Sequence, residues 1–225
     1  MSRVLGVLGG MGPAATVAFL ARVQALTPAE GDADHIRVVM DLNPQAPDRN
    51  TRPGDAEAEL GRMAERLKAA GAEVMAMPCN TAHAQKAGIV AVCDSGGLPF
   101  IDMIAATVAA ARADEVRSVG ILATPGGEAL YRAALEAEGV TPVLLQGDDR
   151  AAFMACVYGV KRGDLGVDNR AAMARLAAAL VVAGADAVIA GCTEVPLLLT
   201  AADVSVSLVD SSEVLANACV KACLE

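Results

Sequence analysis

Short apolar runs, many of them β-branched, recur along the chain and alternate with longer stretches whose apolar positions fall at helical spacing. The short runs predict strands at 3–8, 36–42, 73–78, 98–101, 117–122, 141–145, 186–190 and 205–209. The longer stretches predict helices at 13–26, 55–70, 81–92, 103–113, 127–138, 149–158, 168–183 and 211–223. The strand runs do not alternate apolar with polar residues. Strands of a parallel sheet covered on both faces read this way. Alternation of strand and helix with brief connections predicts right-handed βαβ units.

The pattern also repeats. RVLGVLGG (3–10) matches RSVGILAT (117–124), GAEVMAMPCNT (71–81) matches GADAVIAGCTE (184–194), and PFIDM (99–103) matches SLVDS (207–211). The offsets are 114, 113 and 108 residues, and the three matches keep their order along the chain. The expected fold is therefore α/β and duplicated. It comprises two similar domains related by a pseudo-two-fold, each with a four-stranded parallel sheet flanked by helices.

Composition narrows the function. At 54% apolar residues there is ample material for buried sheets. Only five aromatic residues and no Trp leave little for stacking single-stranded bases. A net charge of −9 argues against a nucleic-acid backbone as partner. The N-terminal MSRVLGVLGGMGP lacks the apolar core of a signal peptide, and no uninterrupted apolar stretch suits a membrane span. Six cysteines without an export signal are expected to be reduced thiols in a cytoplasmic protein.

The repeat singles out two of those cysteines. Cys79 and Cys192 each close a strand eight residues after a Gly-Ala-acid start, and each is followed by a segment that can begin a helix. A thiol before a helix N-terminus feels its dipole and its free N–H groups, and Asn80 or Thr81 can cap such a helix. A duplicated unit that delivers two thiols suits removal of a proton from one face of a carbon and its return to the other. Cys93, Cys156, Cys219 and Cys223 read instead as small buried hydrophobes. A zinc site from Cys79, His83, Cys192 and Glu194 lacks any recognised ligand spacing, so no metal is expected. His83 reads as a surface or hydrogen-bonding residue.

Gly10–Ala15 fits a loose G-x-G-x-x-A pattern, with Asp41 available as a ribose acid, but the counterpart ATPGGEAL lacks it. Close backbone approach at a strand-to-helix turn explains these glycines better, and no cofactor is expected. Arg49, in the proline-stiffened NPQAPDRN, can hold a carboxylate through two hydrogen bonds. Lys161 in VYGVKRG offers a second cation in the other half.

Together GVLGGMGPAAT, NPQAPDRN, MPCNTAH, ILATPG, YGVKRG and AGCTEVP resemble the aspartate/glutamate racemase superfamily, and within it the cofactor-independent aspartate racemase branch. The resemblance implies two α/β domains, 1–112 plus 211–225 and 113–210, with the active site in the cleft between them. It implies a C-terminal helix that returns to the first domain, and a homodimer. Cys79 and Cys192 are similar to the paired acid/base thiols. Asn80, Thr81 and Thr193 resemble binders of the α-carboxylate and amino group, with Met11 and Ala82 beside them. Asp48, Arg49, Asn50 and Lys161 resemble the site for the side-chain carboxylate. The implied activity is interconversion of L- and D-aspartate. Glutamate or broad-specificity racemisation, hydantoin racemisation and maleate isomerisation are activities of the same superfamily. Arylmalonate decarboxylation needs only one thiol. A binding protein for amino acids is the non-enzymatic alternative.

Overall fold

The computed structural model describes residues 2–49, 51–112 and 116–225. These form two compact units, 1–103 with 212–225, and 104–211. The first contains strands β1 (Leu5–Gly9), β2 (Val38–Leu42), β3 (Val74–Ala76) and β4 (Phe100–Ile101). Helices α1 (Pro13–Leu26), α2 (Pro53–Ala69) and α3 (Ala87–Gly96) join them. The strands pair in parallel in the order β2-β1-β3-β4. Helix α4 (Met103–Ala111) leads into the second unit, with strands β5 (Ser118–Leu122), β6 (Thr141–Leu144), β7 (Ala187–Ala190) and β8 (Ser207–Asp210). Its helices are α5 (Pro125–Ala137), α6 (Asp148–Lys161) and α7 (Val167–Val182), and its order is β6-β5-β7-β8, again all parallel. Helix α8 (Ser211–Leu224) ends the chain.

Strand register reproduces the three sequence offsets. Leu5 pairs with Val74 and Met75 with Phe100 in the first sheet. Val119 pairs with Ala187 and Val188 with Leu208 in the second. The Gly-Ala-acid motif now has a cause for each residue. Gly71 and Gly184 follow α2 and α7 with φ of 90° and 98°, a conformation that ends a helix and suits glycine. Ala72 and Ala185 face Gly6 and Gly120. A Cβ on either glycine would come within 2.7 Å of Ala72 or 2.9 Å of Leu180, so helix and strand pack with no side chain between them. Glu73 then accepts the Val4 N–H at 2.8 Å and Asp186 the Ser118 N–H at 3.0 Å, fixing where each first strand begins.

Both faces of each sheet are covered, as the continuous apolar runs require. In the first unit Leu5, Val7, Val74 and Ala76 pack with Phe19 of α1 and with Leu215, Cys219 and Cys223 of α8. Leu8, Met75 and Met77 pack on the other face with Leu60, Met63 and Leu67 of α2 and Ile89 of α3. In the second unit Leu122, Val188 and Ala190 meet Phe153, Val157, Met173 and Leu176 of α6 and α7. Val119, Ile121 and Ile189 meet Tyr131 and Leu135 of α5, together with Ile104, Val108 and Ala111 of α4.

The helix after β4 thus covers the sheet of the second unit, and the helix after β8 covers the sheet of the first. Each unit takes one helix from the far half of the chain. The division falls at Met103, the first residue of α4, because the apolar stripe of α4 buries against β5 and β7. No helix is long and apolar enough to cross a membrane, among the described residues.

Candidate active site

In an open α/β sheet, ligands bind outside the carboxyl ends of the strands where the strand order reverses. That point lies between β1 and β3 in one unit and between β5 and β7 in the other. Cys79 follows β3 and Cys192 follows β7, so each unit carries one of the paired cysteines at its own switch point.

In the first unit the turn after β1 is built around Thr16. The Gly10 N–H donates to Thr16 Oγ1 at 3.0 Å, and Thr16 donates to the Gly12 carbonyl at 2.9 Å. Gly10 has φ of 96°, and a Cβ there would sit 2.4 Å from the Asn43 backbone. Close approach therefore explains the glycines, as the sequence suggested. Asn43 donates its backbone N–H to Gly9 and its side chain to Glu59, which anchors the loop that carries Arg49. Asp41 is committed elsewhere. It pairs with Arg66 at 2.7 Å, and Arg66 also holds the Glu59 carboxyl below the usual carboxylate range.

Cys79 is 5% exposed and shares one apolar cluster with Met11, Met77 and Ala82, against which Ala46 packs. Asn80 is buried and Thr81 partly exposed beside it. In the loop from Asn43, Asp48 uses its carboxylate locally, accepting the Thr51 N–H at 2.9 Å and its hydroxyl at 3.2 Å. Arg49 is half-buried, and its Nε is buried with no hydrogen-bond partner among the described residues. Asn50 lies outside the described residues.

The segment after Cys79 departs from expectation. The predicted helix at 81–92 is a 3-10 turn, Thr81–Gln85, followed by α3, and the Asn80 side chain does not cap the turn. After Cys192 there are again only 3-10 turns, Val195–Leu197 and Ala201–Asp203. Such short turns sum few peptide dipoles, so the helix-dipole argument for activating the thiols does not apply.

The reason lies partly in His83. Its imidazole is buried, with Nε2 accepting the Met103 N–H at 3.1 Å and Nδ1 lying 2.9 Å from the Cys79 carbonyl. Because Nε2 accepts, Nδ1 carries the proton and donates it to Cys79. Burial pushes the imidazole below its usual pKa and keeps it neutral. His83 is a strut that ties the cysteine loop to the start of α4.

This strut has a pH signature. The unfolded chain takes up a proton near pH 6.5 that the folded imidazole refuses, so stability falls as pH drops below that value. Urea titration of the native protein should lose about 1.4 kcal/mol per pH unit in that window through this residue. His83→Gln keeps one donor and one acceptor and should lack that component. An unchanged pH slope in the variant would show that the imidazole is not held neutral.

In the second unit Cys192, Thr193 and Glu194 are buried at 7%, 4% and 4% exposure. The Cys192 thiol donates to Glu194 Oε2 at 2.9 Å, and the Thr193 hydroxyl reaches the same oxygen at 3.4 Å. Lys161, in the last turn of α6, places Nζ 3.7 Å from Glu194 Oε1. Asn169 donates to the Asp164 carbonyl at 2.9 Å and to the Cys156 carbonyl at 3.3 Å, which pins the loop following Lys161. Glu194 entered the sequence reading only as a metal-ligand candidate. Its place beside Cys192 was written in GCTE, but burial was not.

The other cysteines are structural. Burial pushes Cys93 and Cys223 up to about 11 and raises Cys156 and Cys219 as well. No group of three or more potential metal ligands occurs among the described residues.

Comparison with known proteins decides the family. Residues 8–219 match the Asp/Glu/Hydantoin racemase family along nearly the whole chain. The chain belongs to the Asp/Glu/Hydantoin racemase family. Among family relatives, it is 30% identical over 159 residues to a glutamate racemase of Synechococcus sp. (strain CC9605). It is 31% identical over 189 residues to a glutamate racemase of Pseudomonas putida (strain W619). These alignments cover 69% and 80% of this chain but only 56% and 65% of the relatives. Among solved structures, the aspartate racemase of Picrophilus torridus is similar with a TM-score of 0.82 at 26% identity, covering 98% of this chain and 94% of that one.

Proposed function

We propose that the protein is a cofactor-independent amino-acid racemase acting on aspartate through Cys79 and Cys192. The observation that carries this reading is the equivalence of the two cysteines. Each is nearly buried and each follows the equivalent strand at the switch point of its own sheet. One sulfur, as thiolate, takes the α-proton; the other, as thiol, gives a proton to the opposite face. The two then exchange roles for the reverse direction, so no proton is gained or lost over a turnover.

The α-proton is a very weak acid, so the intermediate carbanion or enediolate needs preorganised donors. Backbone N–H groups of the two strand-end loops and the side chains of Asn80, Thr81 and Thr193 are assigned that task. Arg49 is assigned the side-chain carboxylate, a choice favoured by its buried and unpartnered Nε. Asp48 shapes the turn that presents it. Aspartate is preferred over glutamate because the fold match covers 94% of an aspartate racemase chain and 79% of a glutamate racemase chain.

The test is α-proton exchange in D2O, followed by NMR. L-Aspartate should lose its α-proton signal while the optical rotation of the same sample decays toward zero, with L-glutamate slower and L-alanine slowest. Arg49→Ala should cut exchange of aspartate on the order of a hundredfold while barely changing alanine, because it removes a charge-assisted contact of a few kcal/mol. A protein that binds aspartate without exchange is a binding protein, and equal effects on both substrates would remove Arg49 from the specificity site.

A further inference from the structure

Glu194 is the only buried carboxylate among the described residues. A buried carboxylate demands partners, and Glu194 has three: the Cys192 thiol, the Thr193 hydroxyl and the Lys161 ammonium. Lys161 meets one carboxylate oxygen and the thiol meets the other. Val157 and Val160 of α6, with Val195 and Leu198, belong to the same apolar cluster as Cys192. Lys161 is the charged group that α6 turns toward Glu194, and Cys192 and Thr193 are the groups offered by the strand-end loop itself.

We infer that Glu194 is a positioning residue for Cys192, holding the proton on its sulfur so that this thiol is the resting proton donor. A free thiol and a free carboxyl differ by about four units of pKa, so a single proton shared between them stays on sulfur. Loss of the thiol proton to solvent would leave two anions 2.9 Å apart in a buried site. The hydrogen bond also fixes the direction of the sulfur, which a lone thiol does not do. The duplication places the uncharged Thr81 at the matching position of the other half, so the carboxylate belongs to one side of the repeat alone.

On the racemase reading, on which this second step rests, the resting enzyme starts with Cys192 as acid. The enantiomer whose α-proton is taken by Cys79 then meets the resting form directly, and the other waits for a proton to leave Cys192. Glu194 therefore gives the two directions different pH dependences.

The experiment reads Cys192 alone. Iodoacetamide alkylation of the full-length protein is followed peptide by peptide by mass spectrometry from about pH 6 to about pH 10. The wild-type midpoint for Cys192 is expected above the roughly 8.5 of a free thiol. Glu194→Gln should lower it by about one pH unit and so speed alkylation at pH 7 about tenfold, while Glu194→Asp stays near wild type. A wild-type midpoint at or below about 8.5 overturns the inference, as does a Glu194→Gln rate equal to or below that of wild type. If Glu194→Gln fails to fold, the wild-type profile still decides. Exchange of the substrate α-proton is scored separately. Absent exchange with the expected alkylation sinks the racemase reading alone, and normal exchange with an unmoved Cys192 sinks this inference alone.

Discussion

Serine at Cys79 or at Cys192 is expected to abolish racemisation of aspartate, by on the order of a thousandfold or more, while the far-ultraviolet circular dichroism stays that of the native protein. Sulfur and oxygen differ little in size, and both side chains sit in apolar clusters that need volume rather than charge. A hydroxyl, in contrast, is a far weaker acid than a thiol, so it neither forms the anion that takes the α-proton at neutral pH nor gives up its own proton readily. Each single variant removes one of the two proton carriers, so net inversion fails in both directions. The singles and the double variant should then be equally inactive, because the two groups act as a unit. Turnover near the wild-type rate in either single variant would end the two-base mechanism.

Gly10→Ala is expected to cost about 3 kcal/mol of stability, with a fall in Tm of roughly 6–12 °C for a chain of this size. The added carbon would meet the backbone of Asn43 at 2.4 to 2.6 Å, and backbone cannot swing aside as the end of a side chain does. The positive φ of 96° adds strain of its own. Gly31→Ala and Gly54→Ala are the controls, since nothing lies within 4 Å of a Cβ at either position. Thermal unfolding measures all three. Activity should fall in Gly10→Ala even where the protein is folded, because Asn43 anchors the loop that presents Arg49. A loss below about 1 kcal/mol would show that the Asn43 loop yields freely.

Much of this molecule was legible in its sequence, for physical reasons that can be named. The doubly covered strands announced themselves through unbroken apolar runs such as Val74–Met77, whose successive residues face two different clusters. The repeat was legible because the same close approaches, Gly6 against Ala72 and Gly120 against Ala185, impose the same small residues twice. Two things were not. The 3-10 turn at Thr81–Gln85 has a sequence that would suit a helix; the buried bonds of His83 to Cys79 and Met103 are distant from any local pattern. The burial of Glu194 was hidden too, since an acid after a strand reads as a solvated turn until Lys161 and Cys192 are seen beside it.

The reciprocal loan of α4 and α8 has a consequence for how the chain comes to be folded. Residues up to Met103 leave one sheet face only partly covered, by Phe19 and Val23 of α1, until Leu215, Cys219 and Cys223 arrive from α8. Helix α8 must therefore be synthesised before the first sheet is sealed. Contacts joining Leu5 to Leu215 span nearly its whole length, and closures of that reach are slow to form. Neither half, cut at the midpoint, carries the complement of helices its sheet requires. The duplication therefore yields two look-alike units that cannot be inherited, truncated or evolved apart.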